Sequence, residues 1–190
     1  MSSGPGYRQR GLAVKPQNRK GIRKLANQVR RLLDLDEDRI DMCQLLEHKL
    51  HECGIAFLVD DPSSPELAPD EHACAYPEAG IIVLSSETYD GLCNDNHRAR
   101  FTVAHEFGHM LLHGSTIQGL SRGLDPNRPH KPYCDSEWQA DTFAAELLMP
   151  AERARGLSEQ DIMDRFGVSW KAAEIRRSVL EKEQATHRAG

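Results

Sequence analysis

Phe101-Thr-Val-Ala-His-Glu-Phe-Gly-His-Met-Leu-Leu-His113 decides the reading of this chain. Its apolar residues recur at helical spacing, so the stretch reads as an amphipathic helix that begins near Asp95 and ends at His113. His105 and His109 are four residues apart, slightly more than one turn, which puts both imidazoles on one face about 6 Å apart and within reach of one ion. Two ligands hold zinc weakly. A catalytic site needs a third protein ligand and an open position for a water, whose pKa the ion lowers to about 7. Glu106, next to the first histidine, stands where a general base is needed.

His113 continues the i, i+4 series, but it lies about 12 Å of helix rise beyond His105. One ion cannot reach both. The metzincin spacing, with a third histidine ten residues after the first, is also absent. His113 followed by Gly114 reads instead as a helix end, with a cationic imidazole at the negative dipole end and glycine in the left-handed cap position. A second helix starts at Ser136-Glu-Trp-Gln139, a capping-box pattern, and stops at Pro150. Glu137 and Asp141 are one turn apart on it. Glu137 is the expected third zinc ligand, and Asp141 the carboxylate that accepts the other ring N–H of a liganding histidine. Glu146 competes by residue type, but its offset from Glu137 is about 900° of helix rotation, which places it on the opposite face.

The two motifs together, Arg100-Phe-Thr-Val-Ala-His-Glu-Phe-Gly-His-Met-Leu-Leu-His113 and Glu137-x-x-Ala-Asp-x-Phe-Ala-Ala-Glu-Leu-Leu-Met-Pro150, resemble the ImmA/IrrE family of metallopeptidases. The likeness runs in outline over residues 18–180 and is strongest over 100–150. Asp141 departs from it, standing where asparagine is common, and moves toward the E-x-x-x-D pattern of thermolysin-like gluzincins. The resemblance implies a cytoplasmic zinc peptidase of bacteria or their mobile elements, often one that cleaves or inactivates a helix-turn-helix repressor of the XRE type.

Composition agrees with one compact domain, since 39% of the 190 residues are apolar and 28% charged. No stretch approaches a membrane span, and the start Met-Ser-Ser-Gly-Pro-Gly-Tyr-Arg-Gln-Arg lacks the apolar region of a signal peptide, so a cytoplasmic location without membrane contact is expected. Cys43, Cys53, Cys74, Cys93 and Cys134 form no C-x-x-C pair, which argues against a disulfide framework or a cysteine zinc site. Reduced, mostly buried thiols are expected. Residues 1–33 hold nine Lys or Arg and no acid, so residues 34–190 hold 15 basic against 29 acidic residues, a net −14. The basic arm is expected to dock on the acidic body or stay solvated rather than bind nucleic acid. An acidic body suits a basic substrate, because opposite fields speed encounter.

Residues 1–17 contain Gly and Pro and read as a basic, mobile tail. Residues 18–33 place Ile22, Leu25, Ala26, Val29, Leu32 and Leu33 at helical spacing, and residues 39–52 do the same with Ile40, Cys43, Leu45, Leu46 and Leu50 before Gly54. Residues 55–59 read as a strand, and Ala73-Cys-Ala-Tyr76 with Ile81-Ile-Val-Leu84 as a hairpin turning between Pro77 and Gly80. The fold class is therefore α+β: a mainly helical zincin-like metallopeptidase domain over residues 18–155, with a small sheet beside the zinc helix. In gluzincin-like enzymes the edge of such a sheet commonly holds the substrate in extended form. Gly108 costs about 1 kcal/mol in mid-helix and so predicts close approach of another backbone. The loop joining the two motif helices could act as a lid, and Cys134 could reach the open zinc position, although a plain free thiol is the simpler reading. Tyr76, His72, His130 and Tyr133 all suit oxyanion stabilisation, and none carries a motif.

Residues 156–190 form a C-terminal helical extension packed on the domain. It contains two short amphipathic helices around Gly167-Val-Ser169 that look like a helix-turn-helix. Lys171, Arg176 and Arg177 on the second helix open a rival reading, a DNA-binding or partner-sequestering regulator in which zinc is structural. The expected function remains a zinc-dependent endopeptidase, with Zn2+ on His105, His109 and Glu137 and with Glu106 as general base. Its substrate, as the resemblance implies, is a bacterial or phage transcriptional repressor.

Overall fold

The computed structural model describes residues 11–60, 67, 71–114 and 129–188. The first ten residues of the expected tail and most of the expected lid, 115–128, lie outside them. Helix α1 (Arg19–Leu32) starts where the Asn18 side chain accepts from Gly21 N, and it buries Ile22, Ala26 and Val29. The expected single helix over 39–52 is instead three short pieces: one α turn, α2 (Met42–Gln44), a π turn over Leu45–Lys49 and a 3-10 turn over Leu50–Cys53. Packing explains the change. Regular α winding would leave Leu45 and Leu50 about 140° apart, whereas the bond from Leu50 N to Leu45 O closes a wider turn that brings them into line, and both are buried.

Strands β1 (Ala56–Asp60), β2 (Ala73–Tyr76) and β3 (Ile81–Ser85) form a sheet in the order β1–β3–β2. β2 and β3 make the hairpin read from the sequence, with Tyr76 opposite Ile81, while β1 joins β3 in parallel. The unbroken apolar run explains why β3 is central, since Ile82, Val83 and Leu84 are all buried. β2 is left as an edge strand, lying against the motif helix.

Helix α3 (Ser86–Cys93), capped by Ser85, follows at once and is absent from the sequence reading. It buries only Thr88 and Leu92, so no apolar stripe announces it. Helix α4 (His97–His113) carries the histidine motif and starts where Asn96 accepts from Arg98 N and Ala99 N. Helix α5 (Ser136–Leu148) carries Glu137, but its cap is not the expected Ser136–Gln139 box. Asp135 accepts from Trp138 N, and Ser136 Oγ accepts from Leu12 N. α4 and α5 come together through the buried small residues Ala104, Gly108, Ala140 and Ala144. A Cβ on Gly108 would sit 3.2 Å from the Ala140 Cα, which is the backbone approach that the glycine predicts. Phe107 and Phe143 meet edge to face beside it, with ring centroids 5.7 Å apart.

Helices α6 (Ala151–Ala154), α7 (Glu159–Phe166) and α8 (Trp170–Arg188) follow. The turn at Gly167 is left-handed, with φ 62, but α8 runs for 19 residues rather than being short. Ile162, Phe166, Val168, Ala173 and Leu180 belong to the same core as α1, α4 and α5. Buried Arg100 fastens the two parts, donating from α4 to the carbonyls of Phe166, Gly167 and Ile40 and to Asp95. Residues 11–17, expected within the mobile tail, run along the start of α5, with Val14 N donating to Cys134 O and Gln17 N to Tyr133 O. Among the described residues, no helix is long and apolar enough to cross a membrane.

Candidate metal centre

The close crossing of α4 and α5 turns His105, His109 and Glu137 toward one another. The two Nε2 atoms are 3.0 Å apart, and each lies 3.2 Å from one Glu137 oxygen. Tetrahedral zinc, with bonds of about 2.0–2.2 Å to such ligands, spaces them about 3.3–3.6 Å apart. The donor triangle needs only to open slightly to fit. Two imidazoles and a carboxylate suit zinc chemically and leave a fourth position for water or substrate. Cys134 lies outside this cluster.

Hydrogen bonds fix how the two imidazoles point. His105 Nδ1 is 2.9 Å from Asp141 Oδ1, so its N–H donates there and Nε2 keeps its lone pair toward the triangle. His109 is oriented by a different route, which sequence reasoning missed. Its Nδ1 lies 3.0 Å from His113 Nδ1, and His113 Nε2 lies 3.2 Å from Gln139 Oε1. Gln139 Nε2 donates to the carbonyls of Lys15 and Tyr133, so Oε1 is the accepting atom. The proton order follows: His113 Nε2–H donates to Gln139, and His109 Nδ1–H donates to the bare Nδ1 of His113. His109 Nε2 is thereby left free. This order needs a neutral His113, and burial together with the neighbouring His109 pushes it down to about 4. The expected cationic cap is corrected on that account. Gly114 is also right-handed, with φ −54, rather than a left-handed cap.

Burial opposes charge on His105, but hydrogen bonds to Asp141 and Glu137 outweigh it and lift the imidazole to about 10. Burial likewise opposes charge on Glu137, yet the two histidines hold it well below the ordinary carboxylate range. A metal cation competes with protons for the same lone pairs. Glu106 behaves differently. Burial raises it above the usual carboxylate value, against the pull of His105, His109 and a hydrogen bond from the Ala75 backbone. That bond brings the edge strand β2 to the site.

Of the four oxyanion candidates, His72 is bonded to Arg98 and His130 to buried Asp135. Tyr133 and Tyr76 are both exposed, and Tyr133 lies under Lys131. Tyr76 ends β2 and bonds to Cys74, whose thiol is pushed up by burial and by the charge of Glu106 and, less strongly, Glu137. Glu146 lies on the far face of α5, fully buried, and accepts two hydrogen bonds from Arg176 and two from Arg23. Arg177 pairs with Glu159 and Glu181, and Lys171 with Glu174.

Residues 77–178 match the Peptidase M78 family, described as the IrrE N-terminal-like domain, over more than half of the chain. The chain belongs to this family. The match takes in both motif helices and most of the C-terminal extension, and M78 peptidases are in general zinc-dependent. No curated protein matches the chain. Among solved structures, a Mycobacterium tuberculosis transcriptional regulator is similar at 19% identity and a TM-score of 0.49, over 80% of this chain. The chain spans 46% of that protein's length.

Proposed function

We propose that this M78 chain is a zinc-dependent endopeptidase whose ion is held by His105, His109 and Glu137. The observation that carries the reading is the donor triangle, with edges of 3.0 and 3.2 Å, beside a buried Glu106. Zinc held there would supply a Lewis acid for the scissile carbonyl and acidify a water to a pKa of about 7. Glu106 takes the proton of the attacking water and returns it to the leaving amine. Its burial favours this role, because a base works best when its own pKa approaches the working pH. Asp141 on one side and the His113–Gln139 pair on the other keep both imidazoles in the tautomer with Nε2 bare. Tyr76, at the end of the edge strand β2, is the oxyanion donor of this reading.

The substrate adds to β2 as an extended strand, so that main-chain hydrogen bonds align it whatever its sequence. A cavity of about 830 Å3, lined in part by Phe101, Ala145, Met149 and Ile175, adjoins Asp141 and offers an apolar seat for one of its side chains. A helix-turn-helix repressor fits best as the partner. Members of the family cleave repressors, and a DNA-binding protein presents the positive field that residues 34–190, at −14, attract. The rival DNA-binding reading loses Arg176, which is held by Glu146 inside the protein, and keeps only Lys171 and Arg177, both paired with neighbouring carboxylates. The test is cleavage of a helix-turn-helix repressor, sought first among the genes beside this one. Glu106→Gln should keep its metal and lose cleavage, whereas unchanged cleavage would sink the mechanism.

A further inference from the structure

A second cluster of reactive side chains joins the 42–53 segment to the end of α3. Cys43 Sγ and Cys93 Sγ are 2.7 Å apart, across 50 residues of sequence. Glu47 lies 3.6 Å from Cys43 Sγ and accepts a hydrogen bond of 2.5 Å from Tyr89. Cys93 is exposed, and both cysteines line an open cavity of about 350 Å3 that also meets Arg39, Asp95 and Arg100. A small oxidant therefore has access.

Two chemistries suit a pair of thiols, and the spacing separates them. Zinc–thiolate bonds of about 2.3 Å put two ligating sulfurs about 3.7–3.8 Å apart, well beyond what is found here. A disulfide needs about 2.05 Å, which the pair reaches by closing about 0.7 Å. We propose that Cys43 and Cys93 are a reversible dithiol–disulfide pair, closed by hydroperoxides and reopened by dithiol reductants. Cys93, the exposed partner, attacks the peroxide: its S–O bond forms as the O–O bond breaks, and water leaves. Cys43 then displaces the hydroxyl from that sulfenic acid, forming the S–S bond and releasing a second water. Overall, two thiols and one hydrogen peroxide give one disulfide and two waters. Cys43, the less exposed partner, takes the second role, and Glu47, which accepts a hydrogen bond from Cys43 Sγ, is at hand to take its proton as the thiolate forms.

The bond would close a loop that contains the whole sheet and ends three residues before the Asn96 cap of the motif helix. The oxidised chain should therefore melt higher, by about 5–10 °C. The experiment uses the full, pre-reduced chain treated with hydrogen peroxide. Thiol alkylation, peptide mapping without reduction and thermal melts are then compared. The expected result is loss of two alkylatable thiols, a Cys43–Cys93 cross-linked peptide, a raised midpoint, and full reversal by dithiothreitol. Cys43→Ser and Cys93→Ser should each abolish the cross-link, and a variant with Cys53, Cys74 and Cys134 all replaced by serine should keep it. Overoxidation of Cys93 with Cys43 still alkylatable would overturn the proposal. So would an unchanged or lowered midpoint on closure, or a second zinc per chain that shields both thiols.

Discussion

Glu137 and Glu146 sit on the same helix, both with carboxylates held below their ordinary pKa, and they do opposite jobs. Glu137 faces two imidazoles, partners that can release a proton and turn the same lone pairs to a metal ion. Glu146 faces two guanidinium groups, which never release theirs. The cationic partner, rather than the carboxylate or its depth, therefore decides which glutamate belongs to chemistry and which to the fold. Glu137 remains about one-third exposed, open to what the site must admit, while Glu146 is sealed at 0%. Arg23 and Arg176 bring α1 and α8 to Glu146, so one carboxylate joins three helices.

The contrast can be broken by mutation. Glu137→Ala should abolish cleavage while moving the melting midpoint of the metal-free chain by less than about 4 °C, because Asp141 still faces His105 when Glu137 is gone. Comparable losses of stability and activity would erase the distinction. Glu146→Gln should do the reverse, costing about 3–5 kcal/mol by leaving Arg176 buried without its counter-charge. The folded fraction should bind zinc as the parent does, which equilibrium denaturation and a zinc titration would show. Asp141→Asn should fall between them, weakening metal affinity by about 10–100-fold without unfolding the chain. The smallest effect is with pH. The folded pKa of Glu146 is depressed, so its contribution is complete above the unfolded value of 4.5 and is lost as pH falls through the lower folded value. The stability gap between parent and Glu146→Gln should therefore narrow in acid, and a gap independent of pH would show that the ion pair is not its source.

What was legible in the sequence is what a helix imposes locally. Spacing alone brought His105 and His109 to one face, set Glu137 one turn from Asp141, turned Glu146 away and marked Gly108 as a point of close approach. The features that escaped depend on neighbours distant in the chain. His113 has the right spacing from His109, but its role rests on Gln139 of another helix, which in turn is anchored by Lys15. The docking of residues 11–17 is a backbone pairing with no side-chain pattern to reveal it. The π turn at Leu45–Lys49 exists because the core wants Leu45 and Leu50 together, a demand that no helix propensity expresses. Of the basic residues of α1, expected to dock on the acidic body or stay solvated, Arg19 and Arg23 meet Glu183.

The central claim is that Glu137 completes a single zinc site with His105 and His109. Elemental analysis of the purified chain beside Glu137→Ala, both at neutral pH and after identical dialysis, tests it most directly. The parent should hold about one zinc per chain, and Glu137→Ala should lose most of it while keeping its fold. A parent without zinc, or a Glu137→Ala variant that retains the metal at full stoichiometry and affinity, would contradict the account.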